Sequence, residues 1–111
     1  MSWYKIIAPE GIEGSTAITD ISNTFILAYR NSGAKGALLL MNEDVNTFKP
    51  QTTNIFYFSP VGAQLCANLI SQYHGEPCSA PSPSEASYIV GDEDFLADWQ
   101  AGKCNDKKSD S

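Results

Sequence analysis

The chain has 111 residues, 42% of them hydrophobic and 11% aromatic, with a formal net charge of −6. That length makes one domain, and the apolar share builds a single core without disulfide or metal staples. Phosphate backbones and anionic membranes need clustered cations, but residues 50–102 contain no Lys or Arg, so nucleic acid and membrane are excluded as expected partners.

The N-terminal MSWYKIIAPEG holds no signal-peptide core, and the longest apolar run, Ala37–Met41, is far short of a bilayer span. A cytoplasmic protein is expected. Trp3–Ala8 reads as a first strand, followed by a turn-rich stretch over Pro9–Ser15 that carries two glycines and a proline. From Thr16 to Ser22 the signals compete: Ile18, Ile21 and Phe25 fit a helical face, while Thr, Asp, Ser and Asn favour irregular chain. In Thr24–Arg30, Phe25, Leu27 and Tyr29 alternate with Ile26, Ala28 and Arg30, which is strand periodicity. With turn chemistry at Asn31-Ser32-Gly33 and the apolar Ala37–Met41, this predicts a β-hairpin. Asn42–Thr53 is polar and reads as a surface loop sheltering Phe48.

The best-defined stretch is Asn54–Gly75. Ile55–Phe58 is a short β-branched and aromatic run, apolar on both faces, so it reads as a strand that needs cover on each side. Ser59 is a natural N-cap and Pro60 suits the first helical position. Val61, Leu65, Leu69 and Tyr73, flanked by Cys66 and Ile70, form one apolar stripe of a helix over 60–74, with Gly75 as its stop. Glu76–Glu85, with three prolines among serines, is an ordered connection to a strand at Ala86–Val90. Gly91 ends that strand, and Asp92, Glu93 and Asp94 open a short helix with Phe95, Leu96 and Trp99 inward. Strand, helix and strand over 55–58, 60–74 and 87–91 suggest a parallel crossover. The expected fold is α+β: a mixed or antiparallel sheet of four to five strands, one main helix at about 60–74 on a face, and a short C-terminal helix. Residues 1–102 form the domain and 103–111 a polar, disordered tail.

No stretch carries a motif that names a family or a cofactor. His74 is the one histidine, and C-x7-H-x3-C from Cys66, His74 and Cys78 matches no zinc spacing, so no metal is expected. Cys66 and His74 stand about 12 Å apart along a helix, beyond hydrogen-bond reach, whereas Cys78 approaches His74 across the Gly75-Glu76-Pro77 turn. Three cysteines without a CxxC read as free thiols, with Cys66 packing as a small hydrophobe and Cys104 in the tail. Asp92, Glu93, Asp94 and Asp98 lack the ligand spacing of a calcium loop; capping and a solvated face explain them, and they are the residues a basic protein partner would meet. Ser59 at a helix start is a weak anion site, since no Walker glycine–lysine pattern accompanies it.

Aromatic residues exceed what one helix covers. The leading expectation is therefore a binding or interaction protein, an enzyme less so, that forms a homodimer through an aromatic sheet face and presents an acidic C-terminal half. The alternative is a small-ligand-binding or enzymatic domain with its pocket at the Ser59 helix start, near His74 and Cys78.

Overall fold

A strand that is apolar on both faces needs two covering layers, and the chain provides them. The computed structural model describes residues 2–47 and 53–103. Its elements are β1 (Trp3–Ala8), α1 (Gly11–Ser32), β2 (Leu38–Met41), β3 (Asn54–Phe58), α2 (Pro60–Leu65), α3 (Ala67–Gln72), β4 (Glu76–Cys78), β5 (Tyr88–Gly91) and α4 (Glu93–Gln100). The five strands lie in the order β4-β1-β3-β2-β5. Every neighbouring pair is antiparallel, so the two strands of the expected parallel crossover are not direct partners. β3 and β5 do point the same way, but β2 is inserted between them.

On one face Ile6, Ala8, Leu39, Met41, Phe56 and Phe58 pack against Ala17, Ile18, Ile21 and Phe25 of α1 and against Ala63, Cys66 and Leu69 of α2–α3. On the other, Trp3, Leu38 and Leu40 meet Trp99, Phe95 and Leu96 of α4 together with Cys78, Ala80 and Ala86. β2 is buried at all four positions, as a central strand covered on both sides must be. Burial of each such side chain stabilises the fold by about 1.5–3 kcal/mol. Trp99 also donates its indole N–H to Pro81 O at 2.9 Å, tying α4 to the segment that crosses this face from β4 to β5.

Two expectations fail. Most of the turn, the ambiguous stretch and the strand expected over Pro9–Arg30 belong to one 22-residue helix, Gly11–Ser32, the longest in the described chain. Its buried positions, Gly14, Ala17, Ile18, Ile21, Ser22 and Phe25, follow the helical repeat. Two of the six are Gly and Ser, so hydropathy alone hides the stripe. The alternation of Phe25, Leu27 and Tyr29 is coincidental: Leu27 is 60% exposed, while Phe25 and Tyr29 are helical i, i+4 neighbours with stacked rings. The hydroxyls of Thr16 and Thr19 bond back to the carbonyls of Ile12 and Ser15, which removes their competition with the helix backbone. The helix ends at Gly33, left-handed at φ 60°, whose N–H reaches Tyr29 O.

Second, the helix over 60–74 is two helices. The backbone leaves helical geometry at Cys66, φ −116° and ψ 40°. The short C-terminal helix is as expected. Phe48 and residues 104–111, with Cys104 and the expected tail, lie outside the described residues.

Gly91 is where backbone geometry leaves no choice. Its φ is +137°, and a Cβ there would overlap the carbonyl oxygen of Ala37, the residue just before β2. Gly91→Ala is expected to lower the unfolding free energy by about 3 kcal/mol or more, read from urea denaturation, because left-handed strain and overlap with backbone coincide.

Candidate functional site

The residues singled out from sequence fall into three places. Ser59 is fully buried, and its hydroxyl is already committed. It donates to Gly36 O at 2.6 Å and accepts from Leu38 N at 2.8 Å and from Gly62 N at 3.1 Å. The last is the expected N-cap bond; the first two fasten the start of α2 to the entry of β2. Asp92 does the matching work for α4. One carboxylate oxygen accepts from Asp94 N at 3.0 Å as the cap, and the other accepts from Gly36 N at 2.8 Å. Gly36 thus has its carbonyl held by one helix cap and its N–H by another. These bonds hold the Asp92 carboxyl below the usual carboxylate range: the Gly36 N–H contributes most, partial burial opposes it, and the N–H groups of Asp94 and Phe95 and the Lys35 charge assist. Glu93, Asp94 and Asp98 are exposed.

Cys66 is wholly buried, and burial pushes its thiol up to about 11, which keeps it protonated and unreactive. Cys78 sits half-buried in the second core. His74 lies at neither thiol's core but at the end of α3, on the rim of a cleft. Ser59, His74 and Cys78 therefore do not converge on one pocket. Among the described residues no three potential metal ligands cluster.

That cleft is the concave feature that the sequence pointed to only indirectly. It has a volume of about 600 Å³ and opens between α2–α3 and the start of β1. Its helical wall is built from Pro60, Ala63, Gln64, Ala67, Ile70, Ser71 and His74, a spacing of three and four residues that continues through the break at Cys66. Ser2 and Tyr4 form the opposite wall. The small Ala63 and Ala67 give it depth, and the polar groups lie on Ser2, Tyr4, Gln64, Ser71 and His74. A largely apolar concavity with a few polar groups is the usual form of a small-molecule site.

His74 has one further peculiarity. Gly75 was expected as the left-handed stop, yet His74 takes that conformation, with φ 55°, the one non-glycine residue with positive φ among those described. The terminus is a Schellman motif: Gly75 N–H bonds Ile70 O at 2.7 Å and His74 N–H bonds Ser71 O at 3.4 Å. Glycine is spent one position later because Gly75 is pressed against the side chains of Ile70 and Ile6; a Cβ there would stand 2.9 Å from Ile70 Cγ2. Holding an L-residue left-handed costs about 1–2 kcal/mol. A strained residue of this kind at a cleft rim is a mark of functional sites. Beside it, Tyr73 donates to Asp20 Oδ2 at 2.8 Å and so ties α3 to α1. Burial, then the Asp20 bond and charge, raises the Tyr73 phenol above its ordinary value.

Of the aromatic residues, Trp3, Phe25, Phe56, Phe58 and Trp99 are buried within the single chain, while Tyr4, Tyr57, Tyr73, Tyr88 and Phe95 are half-buried. No known family model, curated protein or solved structure matches the chain. No helix among the described residues is long and apolar enough to cross a membrane.

Two measurements check these assignments. Asp92 has a depressed folded-state value, so the stability it contributes is complete above its ordinary value of 3.8 and is lost as pH falls through the lower folded value. Asp92→Asn is accordingly expected to be less stable than the parent at pH 7, with the gap in urea midpoints closing below about pH 3.8. In a thiol titration with a disulfide reagent at pH 8, Cys66 is expected to stay silent until denaturant is added; prompt reaction of Cys66 would contradict its burial.

Proposed function

We propose that this chain is a binding protein whose recognition site is the cleft between α2–α3 and β1. The observation that carries this reading is His74, held left-handed at the rim although the glycine that would relieve the strain is its immediate neighbour. The ligand class follows from the walls: a small, largely apolar molecule with a polar end that hydrogen-bonds near Ser71 and His74. Burial of Trp3, Phe56, Phe58 and Trp99 supports a ligand in this cleft over the pairing of two aromatic sheet faces. The site also overlaps the alternative drawn from sequence, since Pro60 next to Ser59 begins its wall, but the Ser59 hydroxyl takes no part.

The test is a fragment screen followed by amide chemical shifts of the labelled protein. Ligands that bind are expected to move the amides of Ala67, Ser71 and His74, and to lose binding in Ala67→Trp, where the exposed alanine is replaced by a ring that fills the cleft. His74→Gly is expected to raise stability by about 1 kcal/mol by relieving the left-handed strain, while weakening the same ligands. Ligands that perturb other surfaces only, or a glycine variant that binds as the parent does, would overturn the reading.

A further inference from the structure

The two edges of the sheet differ. β4 is three residues long and its middle residue is Pro77, which has no N–H to offer, so that edge is closed to further pairing. β5 is the other edge, a Tyr-Ile-Val-Gly strand without proline or lysine. Asp92 N–H donates to Ala37 O at 2.8 Å while Gly91 stands opposite Leu38, which makes that pair a non-hydrogen-bonded one. Alternation along the ladder then turns the backbone groups of Tyr88 and Val90 toward β2 and those of Ile89 and Gly91 outward. Among the described residues no hydrogen bond reaches the outward groups of Ile89. An unblocked edge of β-branched and aromatic residues is a template for another strand.

Charge selects the occupant. At one end of β5, Asp44 lies near enough to Tyr88 to help burial raise its phenol. At the other, Glu93 and Asp94 are exposed in the first turn of α4. Lys35 contributes its charge to Asp92 at that end. A second copy pairing antiparallel on β5 about a two-fold axis would set the Glu93–Asp94 end of each chain against the Asp44 end of the other. Acid would face acid at both ends, which disfavours self-pairing.

We propose that the β5 edge takes up an extended, lysine- or arginine-bearing segment of a partner protein as a sixth strand. Ile89 and Gly91 give the backbone hydrogen bonds, and the acids at the two ends give the preference for a cationic chain. This site is separate from the cleft, and either can stand without the other.

The test uses the whole chain and a synthetic probe, acetyl-Lys-Val-Lys-Val-Lys-Val-amide. Amide hydrogen exchange at Ile89 is expected to slow about fivefold or more with the probe at saturation, and to be unmoved by the same peptide with Glu for Lys. N-methylation of alternate backbone nitrogens of the probe, which removes its edge donors without touching the protein, is expected to abolish the effect. Glu93→Gln combined with Asp94→Asn is expected to weaken the basic peptide about tenfold at low salt, with less effect as salt is raised. Unchanged Ile89 exchange at millimolar basic peptide, or equal protection by the acidic peptide, would overturn the proposal. Protection of Ile89 that grows with protein concentration alone would also overturn it, and would give the edge to a second copy.

Discussion

Gly36 is where the fold is fastened. It lies just before β2, and two helix caps reach it from either side: Ser59 takes its carbonyl and Asp92 its N–H. Those caps stand at the ends of β3 and β5, the two strands that flank β2 in the sheet. A single peptide thus registers the centre of the sheet, the start of α2 and the start of α4 against one another. A buried hydroxyl with three partners is costly to disrupt, because each abandoned partner would lose about 1–3 kcal/mol of solvation it cannot recover. Close approach at the same place excludes even a methyl group: a Cβ on Gly62 would meet Leu38 O at 2.9 Å.

With the centre fixed in this way, the apolar residues are consumed by two layers. α1 and the α2–α3 pair cover one face; α4 and the crossing from β4 to β5 cover the other, with Trp3, Phe95 and Trp99 in contact beneath them. Little aromatic surface is left over for a partner. What remains open is specific: the cleft beside α2–α3 and the outer edge of β5. Each is a place where the regular covering runs out, the first because small alanines line the helix wall, the second because no strand among the described residues follows β5 in the sheet.

The strain at His74 illustrates how packing redistributes local preference. Read alone, His-Gly at a helix end assigns the left-handed position to glycine. In the fold, the side chains of Ile70 and Ile6 crowd the second residue, so glycine is needed there for space, and histidine absorbs the conformation instead. The consequence is a left-handed histidine at the rim of the cleft.

Local chemistry was enough to determine the α+β class, β1, the two-faced β3, the caps at Ser59 and Asp92 and the helix beginning at Glu93, because each is written in residues adjacent along the chain. It also gave the apolar stripe of the helix region over 60–74. Tertiary structure alone decided that Gly11–Ser32 is helical, since Gly14 and Ser22 belong to its buried face only when the sheet is there to pack against. It decided that the Ser59 hydroxyl and the Asp92 carboxylate, both legible as capable of meeting a ligand or partner, are turned inward to Gly36, a residue 23 and 56 positions away. The cleft was invisible for the same reason: its walls come from chain segments about 60 residues apart, and concavity is a property of how they pack, which no run of neighbouring residues encodes.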